Sequence, residues 1–336
     1  MKIGSFDMQS EVFVVAEIGN NHEGNFDLAK KMIALAAQSG AHAVKFQTIV
    51  PEKLVTTLDQ VRINQLKKFQ FSYKQFEDLK DEADRQKIIF LSTPFDLESA
   101  KFLEHLVPAF KIASGDNNFY PLLECVAQTA KPLIISSGLA DLAQIKKTKT
   151  FVENIWRKKK IKQDLAILHC VSSYPTEPEK ANLLAIRQLQ KLGMTVGYSD
   201  HTLGIEAAVT AVSLDARIIE KHFTLDKNYS SFRDHQLSAD PAEFTEMVKR
   251  IKQATILRGD GRISPLKSGL GDGYKIRRSV IANRDLEKGT KLKLEDIAWV
   301  RPGGGLNPGE EGLVIGKILS RAVKKGEMIL ATDVKK

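Results

Sequence analysis

Two histidines, His201 in the stretch SDHT and His222 in EKHF, follow short β-like segments at 195–198 and 217–220. Neighbouring strands of a sheet lie about 4.8 Å apart, so two imidazoles at one edge of a parallel sheet are close enough to bind one metal ion. Imidazole suits divalent transition-metal ions. A histidine beside a strand is often structural instead, so the pattern indicates either a metal site or ordinary packing.

Three acidic residues, Asp200, Glu220 and Asp234, lie near these histidines along the chain. Such carboxylates can orient metal-bound imidazoles from outside the coordination shell. No third protein ligand is evident, so a metal ion here would keep positions open for water and substrate. An ion in an open site polarises a carbonyl group. The nearby His235 is not expected to be a ligand.

Two lysines, Lys45 in VKFQT and Lys111 in FKIASGD, lie inside apolar runs. A lysine within a strand is costly unless it faces a polar surface. Thr93, Ser114 and Ser136 also follow predicted strands, and together with the lysines they favour a pocket for a phosphate or a carboxylate. The alternatives are lysines that extend to solvent along their apolar stems, or a lysine that forms a Schiff base with a carbonyl substrate.

One carboxylate, Glu17, lies in the apolar stretch VVAEIG. In such surroundings it must be paired, metal-bound or catalytic. The following turn, GNNHEG, offers Asn20, Asn21 and His22 either as polar lining of a site or simply as turn residues.

Short β-branched runs alternate with amphipathic helical runs, which indicates parallel α/β structure. Strands are predicted at 12–18, 43–47, 88–92, 109–113, 132–136, 165–170, 195–198 and 217–220, and helices at 26–38, 73–86, 97–106, 121–128, 142–156, 180–192, 205–213 and 241–256. Eight such units in about 250 residues predict a (β/α)8 TIM barrel. A doubly wound sheet is the alternative, but the first strand is not followed by a glycine-rich nucleotide turn.

Polar residues occur at nearly every predicted strand end, and in a barrel these ends converge on one mouth. The set comprises Glu17, Lys45, Gln47, Ser92, Thr93, Lys111, Ser114, Ser136, His169, Asp200, His201, Glu220 and His222. We therefore expect the active site at this mouth.

The pattern changes after the last predicted helix. Residues 1–258 are predicted to form the barrel, 259–277 a Gly- and Ser-rich linker, and 278–336 a small β domain. This last segment contains a near-repeat, in which Arg284, Gly289 and Asp296 align with Arg321, Gly326 and Asp333. A domain of this size has a small core of its own, so we expect it to dock on another surface.

Composition narrows the class of protein. The chain has 336 residues, 43% of them hydrophobic, a net charge of +9 and two cysteines. We expect a soluble cytoplasmic protein without a disulfide framework, a membrane span or a signal peptide. Its lysines and arginines are spread among 41 acidic residues, and no groove-reading motif is visible, so nucleic acid is not the expected partner. A basic balance suits an anionic small substrate.

Taken together, these motifs resemble the sialic acid synthase family, whose members make nine-carbon keto sugar acids from phosphoenolpyruvate. The matching stretches are AEIGNNHEG, AVKFQT, LSTPFD, FKIASGD, LIISSGL, LHCVSSYPT, VGYSDHTLG, IEKHFTLDK and DHQLSADPAEF. They follow the family's order, and the segment from Arg278 onward resembles its C-terminal antifreeze-like (SAF, β-clip) domain.

The resemblance implies a transferase that condenses phosphoenolpyruvate with the open-chain aldehyde of an N-acetylmannosamine-type sugar and releases phosphate. It implies that His201 and His222 hold Mn2+, with Mg2+ or Co2+ as alternatives, and that Glu17 handles a proton or positions water. The positions that match phosphoenolpyruvate contacts are Lys45, Thr93, Lys111, Ser114 and Ser136. Those that match positions around the sugar and the reacting centre are Glu17, Gln47, Tyr174, Ser199 and Asp234. It also implies a domain-swapped homodimer, in which Arg301 of VRPGGG enters the partner's site and contacts the sugar's acyl group.

Three features depart from the family's pattern, all where the sugar should bind: Ser172 in place of a frequent Asn, a shorter loop between Gln47 and Ile88, and no Pro-Gly in 229–236. The acceptor therefore stays open, with a 2,4-diacetamido-trideoxyhexose for legionaminic or pseudaminic acid as the alternative. The DH pair after the eighth strand favours the neuraminic or legionaminic side. A Schiff-base pyruvate aldolase and a carbohydrate-binding protein without enzymatic activity are the remaining hypotheses.

Overall fold

The computed structural model describes residues 1–232, 234–263 and 275–335. The chain divides into two compact units, Met1–Gly261 and Arg262–Lys336. This boundary falls inside the predicted linker, part of which lies outside the described residues. Among the described helices, none is long and apolar enough to cross a lipid bilayer.

The first unit has a short antiparallel hairpin near its N-terminus, formed by β1 (Lys2–Ile3) and β2 (Phe6–Asp7). This hairpin was not predicted, because two-residue strands are too short to show alternation. Ile3 and Met8 pack on Phe13 and on other apolar residues inside the larger sheet. The hairpin therefore contributes to the core at the end of that sheet opposite the polar residues.

Within the described ranges, eight parallel strands form a nearly closed barrel with the ladder order β5-β4-β3-β10-β9-β8-β7-β6, and its end strands β5 and β6 lie side by side. The strands are β3 (Phe13–Gly19), β4 (Ala43–Thr48), β5 (Ile89–Pro94), β6 (Phe110–Ile112), β7 (Leu133–Ser136), β8 (Leu165–Cys170), β9 (Thr195–Asp200) and β10 (Ile218–His222). This architecture confirms the predicted TIM barrel.

Helices surround the barrel, and their apolar faces pack on the outward side chains of the strands. They are α1 (Phe26–Gln38), α2 (Pro51–Leu54), α3 (Gln60–Phe69), α4 (Tyr73–Arg85), α5 (Leu97–Leu103), α6 (Tyr120–Ala127), α7 (Leu142–Lys159), α8 (Ala185–Gln190), α9 (Glu206–Ser213), α10 (Asp234–Leu237) and α11 (Pro241–Arg258). Side chains such as Asn25 and Asp141 accept backbone N–H groups at the helix starts.

The predicted helix at 180–192 is wrong in its extent, because α8 covers only Ala185–Gln190 and Pro178–Lys180 forms a 3₁₀ turn. Strands β9 and β10 each run two residues beyond their predicted ends and reach Asp200 and His222. The apolar pattern stops before these polar residues, although backbone pairing continues through them.

Alternation of side chains along the strands places the polar residues inside the barrel mouth. Successive residues of a strand point to opposite faces, so Phe13, Val15 and Glu17 share the inner face of β3. The apolar members fill the lower interior, and the last member reaches the mouth. On β10, Ile218 and Glu220 repeat this order. The alternation that places apolar side chains in the barrel interior therefore also directs the charged side chains into the barrel mouth.

The second unit contains an antiparallel pair, β11 (Ser279–Ala282) and β12 (Ile297–Val300). Its two halves exchange backbone hydrogen bonds between Leu286 and Val323, both 2.9 Å long. The repeated residues have matching roles, since Arg284 pairs with Asp296 as Arg321 pairs with Asp333, and Gly289 and Gly326 both have left-handed backbones with φ of 94° and 85°. The structure therefore confirms two similar halves.

Gly197 is required by the close packing inside the barrel. A Cβ atom at this position would lie 2.5 Å from the carbonyl oxygen of Ile218 and 2.5 Å from Leu168 Cδ2. We expect Gly197→Ala to lower the free energy of unfolding by about 1–3 kcal/mol, because a packed core resists an added methyl group. Urea denaturation would measure this loss. Gly115→Ala is the matched control, since its Cβ would meet no heavy atom within 4 Å; equal stabilities of the two variants would contradict the prediction.

Candidate active site at the barrel mouth

A cavity of about 820 Å³ opens at the carboxyl ends of the barrel strands. All of the barrel residues that the family resemblance predicts for the site line it, namely Glu17, Lys45, Gln47, Thr93, Lys111, Ser114, Ser136, Tyr174, Ser199, His201, His222 and Asp234. The fold therefore brings these side chains, which are far apart in the sequence, to one place.

Four buried ionisable groups form the centre of the cavity wall. Lys45 Nζ lies 2.7 Å from Glu17 Oε2 and 3.8 Å from Glu220 Oε2. Lys111 Nζ lies 3.7 Å from Glu220 Oε1 and donates a hydrogen bond of 2.6 Å to Ser136 Oγ. Each side chain is less than a tenth exposed. Two cations beside hydroxyl donors can bind a phosphate or a carboxylate.

The surroundings of the two carboxyls shift their pKa values in opposite directions. Burial raises the pKa of Glu17, and the nearby cation Lys45 offsets this only in part. Burial also acts to raise the pKa of Glu220, but Lys111 and Lys45 outweigh it and hold the pKa below its usual value. Glu17 is therefore the carboxyl that is better able to take up a proton, and Glu220 the one that stays ionised.

The pKa values of the two lysines are also shifted in opposite directions. Burial acts to lower the pKa of Lys45, yet Glu17 and Glu220 outweigh it and raise the pKa. Burial lowers the pKa of Lys111, and Glu220 compensates only in part. Lys45 is thus the more firmly held cation, while Lys111 is the more readily deprotonated amine.

The rings of His201 and His222 lie 5.4 Å apart between centroids, where the ends of β9 and β10 meet. His201 Nδ1 donates a hydrogen bond of 2.8 Å to the carbonyl oxygen of Val171, which leaves Nε2 with its lone pair available to a metal ion. In the part of the chain that the structure describes, no group of three or more His, Cys, Asp or Glu is arranged around a single point as a metal site. The donors present therefore fit a two-histidine site that water and substrate complete.

A buried ion pair behind these histidines fixes their spacing. Lys221 Nζ lies 2.9 Å from Asp200 Oδ2 and donates 2.6 Å to the carbonyl oxygen of Thr202. Asp200 and Lys221 directly precede His201 and His222. Because they alternate with residues that line the cavity, both point to the outer face of the barrel. The predicted role of Asp200 at the mouth is thereby replaced by a role in holding the strand ends together.

Two other predicted mouth residues face outward. His169 lies on the outer face of β8, with its Nε2 2.8 Å from the carbonyl oxygen of Ala181, and Ser92 bonds Thr48 through their hydroxyls at 2.7 Å. Cys170, which was not predicted, lines the cavity instead, with its sulfur 3.4 Å from Ser114 Oγ. Counting side chains in steps of two from Leu168 would have identified Cys170.

Tyr174 covers the histidine pair, with its ring 4.1 Å from that of His201 and 6.2 Å from that of His222. The Tyr174–Pro175 peptide bond is cis. Ser199 Oγ donates a hydrogen bond of 3.0 Å to Glu220 Oε1. These residues connect the histidine side of the cavity to the lysine side.

The loop after β3 has three distinct roles. Asn20 Nδ2 donates 3.0 Å to Gln47 Oε1, and Gln47 Nε2 donates 3.1 Å to Glu17 Oε1, so Asn20 supports the cavity wall as predicted. His22 stacks on Phe71 at 4.2 Å, and burial lowers the pKa of its imidazole to about 3, so it is a neutral core residue. Asn21 is fully buried and bonds outside the cavity.

Arg301 belongs to the second unit, where it directly follows β12 and is exposed. Its role at a partner's site stays a prediction. His235 is buried, and protein groups engage both of its ring nitrogens, in agreement with its exclusion from the metal ligands.

Known proteins resemble the chain over nearly all of its length. The NeuB family model matches residues 32–263, and the SAF domain model matches residues 277–335. The N,N'-diacetyllegionaminic acid synthase of Campylobacter jejuni is 36% identical over 95% of this chain and 99% of its own. The pseudaminic acid synthase of the same organism is 34% identical over 99% of both chains.

A solved structure of a related synthetase also resembles this chain. The N-acetylneuraminic acid (sialic acid) synthetase of Leptospira borgpetersenii, crystallised with citrate, has a TM-score of 0.75 and 36% identity over 80% of this chain and 93% of its own. Sequence and fold therefore agree on one group of proteins.

Asp116, in the turn after Ser114, makes stability depend on pH. Burial raises the pKa of its carboxyl to about 6, from the ordinary value of 3.8. The folded chain then keeps a proton that the unfolded chain releases, so stability falls as the pH rises between these two values. Asp116→Asn removes this loss. We expect the variant to be more stable than the wild type above pH 6, by no more than about 1 kcal/mol because the group is partly exposed, and equally stable near pH 4.

Urea denaturation at both pH values measures the difference. Asp81, which is exposed, provides the matched loss of one negative charge as Asp81→Asn. A variant that is less stable than the wild type at pH 7 would show that the ionised Asp116 is favourable.

Proposed function

We propose that this chain, which belongs to the NeuB family and carries a C-terminal SAF domain, is a nonulosonic acid synthase that uses phosphoenolpyruvate. It joins phosphoenolpyruvate to the aldehyde of an acylated amino sugar and releases phosphate. The observation that supports this function best is a single cavity that combines two buried lysines with a pair of adjacent histidines. An anion and a carbonyl compound can therefore be bound side by side.

Phosphoenolpyruvate is assigned to the lysine side. Lys45 and Lys111 supply positive charge, and Thr93, Ser114 and Ser136 supply hydroxyl groups. Ser136 and Thr93 accept hydrogen bonds from the lysines, so their hydroxyl hydrogens can be directed at a substrate oxygen.

The acceptor sugar is assigned to the side formed by Gln47, Tyr174 and Asp234, next to His201 and His222. A divalent ion held by these histidines, for which Mn2+ is our first choice, would act as a Lewis acid towards the sugar's carbonyl oxygen. In the proposed reaction C3 of phosphoenolpyruvate attacks the aldehyde carbon, and the resulting alkoxide takes up a proton. Water then adds at C2 and loses a proton, and the C2–O bond breaks to release phosphate and leave a keto acid.

Glu17 is our candidate for the proton transfers. Its carboxyl lies at the centre of the cavity, burial raises its pKa, and Lys45 and Gln47 bond both of its oxygens. A carboxyl with a raised pKa exchanges protons near neutral pH more readily than an ordinary one. Ser199 contributes by fixing Glu220, which in turn orients both lysines.

The acceptor is an N-acetylmannosamine-type sugar or a 2,4-diacetamido-trideoxyhexose, the classes that serve neuraminic, legionaminic and pseudaminic acid synthesis. Two relatives are named as legionaminic and pseudaminic acid synthases, and the matching solved structure as a sialic acid synthetase. The acceptor is therefore proposed as a class of sugar, and assays with a panel of sugars would identify which member of the class is used.

A Schiff-base pyruvate aldolase is the second candidate. The lowered pKa of Lys111 favours it, since a buried lysine that loses its proton readily is a better nucleophile. Such an enzyme would be inactivated by borohydride in the presence of pyruvate and would be indifferent to EDTA.

We further propose a homodimer in which Arg301 completes the partner's site. Apolar side chains that follow the carboxyl ends of barrel strands are unusually exposed, among them Leu58 at 91%, Leu139 at 82%, and Leu184 and Leu203 at more than 60%. Leu139 lines the cavity, so a protein that covered these leucines would also lie over the cavity. A second copy of the chain is the occupant that would also deliver Arg301.

Phosphate release tests the proposed activity. With phosphoenolpyruvate, Mn2+ and the matching sugar from a panel of N-acetylmannosamine, its 6-phosphate and 2,4-diacetamido-trideoxyhexoses, we expect one phosphate per keto acid formed. EDTA should abolish the activity and Mn2+ should restore it. His222→Ala should lower the rate by more than about 100-fold, the upper limit for loss of an outer-shell partner.

His105→Ala is the matched control, because His105 is exposed on the outside of the barrel. If no acylated amino sugar supports the release of phosphate from phosphoenolpyruvate, the proposed synthase activity is wrong. Retained activity in EDTA together with borohydride trapping would favour the aldolase.

Mixing two inactive variants tests the shared site. In a swapped dimer of one Arg301→Ala chain and one His222→Ala chain, both lesions fall in the same site. The other site is intact, because it combines the barrel of the first chain with the Arg301 of the second. After subunit exchange in an equimolar mixture we expect about a quarter of the wild-type rate, because half of the dimers are mixed and each has one working site.

The control mixture combines His201→Ala with His222→Ala. Both lesions lie in the barrel, so every site stays damaged and no activity should return. Absence of recovery in the first mixture, with subunit exchange verified by differently tagged chains, would contradict a shared site.

A further inference from the structure

The buried histidine beside Asp234 connects two segments near the cavity. His235 Nε2 lies 3.0 Å from Glu23 Oε1, and Nδ1 lies 2.7 Å from Thr224 Oγ1. Because a carboxylate only accepts hydrogen bonds, Nε2 must be the donor to Glu23. The imidazole thus joins the loop after β3 to the segment after β10.

Glu23 also holds the part of this segment that faces the cavity. Its Oε1 accepts a hydrogen bond from Ser230 Oγ, and Glu23, Ser230 and Phe232 all line the cavity. The ring of Phe232 packs against Phe69 of α3 at 5.1 Å and meets the edge of the His235 ring at 6.0 Å. The residues 230–232 therefore form a wall between α3 and His235, with Glu23 as their polar attachment.

The loop that carries Glu23 is itself firmly held. Glu23 has a left-handed backbone with φ of 46°, an uncommon conformation for a residue with a side chain. At the next residue, Gly24, a Cβ atom would lie 2.0 Å from the carbonyl oxygen of Lys68, so the backbones are in direct contact there. A strained, closely packed turn that presents a carboxylate is typical of a site under functional constraint.

A second attachment supports the helix that begins with Asp234. Ser238 Oγ donates 2.6 Å to the carbonyl oxygen of Asp234, and Asn21 Nδ2 donates 2.9 Å to Ser238 Oγ. The loop after β3 thus holds α10 through Asn21 at its back and through Glu23 at its front.

From these contacts we propose that Glu23 and His235 form a latch that positions the wall 230–232 and Asp234 at the acceptor side of the cavity, and thereby sets the affinity for the amino sugar. The inference rests on the proposed function, since it assigns this wall to the acceptor. Glu23 and His235 are positioning residues, and the reacting atoms lie elsewhere. The lysine side of the cavity is built on β4 and β6, so the latch should not influence phosphoenolpyruvate.

Steady-state kinetics of Glu23→Gln and His235→Phe test this proposal. Glu23→Gln keeps the size of the side chain and removes its charge, and His235→Phe keeps an aromatic ring and removes both hydrogen bonds. We expect the KM of the amino sugar to rise at least about tenfold, while the KM of phosphoenolpyruvate and kcat stay within about twofold. His235→Gln, which retains an N–H donor, should restore part of the affinity.

Glu206→Gln is the matched control. It removes the charge of an exposed carboxylate that pairs with Arg250 on the outside of the barrel, and both KM values should stay unchanged. Equal increases in the two KM values, or no increase in either, would overturn the proposal.

Amide hydrogen exchange separates this proposal from the proposed function. Opening the latch in Glu23→Gln should speed exchange in 229–235 and leave exchange in β4 and β6 unchanged. If the wild type releases no phosphate with any sugar, the proposed function is wrong, and the exchange result alone decides whether the latch exists. Unchanged exchange in 229–235 would rule the latch out.

Discussion

The pairing of four buried charges, Glu17, Lys45, Lys111 and Glu220, is the interaction on which the rest of the barrel mouth depends. A single unpaired charge at this depth would cost several kcal/mol. The four groups lie on β3, β4, β6 and β10, so their pairing requires these strands to keep their register around the barrel. The folded sheet and the charged site are therefore maintained by the same contacts.

This arrangement gives each ionisable group a different chemical character without any loop movement. Burial leaves Glu17 able to take up a proton, while two neighbouring lysines keep Glu220 ionised. Separation of pKa values between two carboxyls is a common basis for assigning acid and base roles. Asp200 and Lys221, on the outer face of the barrel, are also two buried charges that compensate each other, and their pairing supports the adjacent histidines.

The side of the cavity that we assign to the acceptor is built differently. Its wall comes from connections after β3 and β10 and from α3, and these are held by individual side-chain bonds rather than by a sheet ladder. Loops of this kind vary more easily than strands, because few backbone hydrogen bonds depend on them. A family that keeps one co-substrate and changes its sugar would be expected to vary here, where this sequence departs from the pattern.

The sequence by itself determined the barrel, the two similar halves of the C-terminal unit and the cavity residues from Glu17 to Asp234, because strand periodicity and polar strand ends are local properties. It did not reveal the hairpin at the barrel floor, the outward direction of His169 and Asp200, or Cys170 at the mouth. Which face each strand turns inward depends on pairing with strands far away in the chain. The Glu23–His235 contact, which joins residues 212 positions apart, likewise exists only after the barrel has closed.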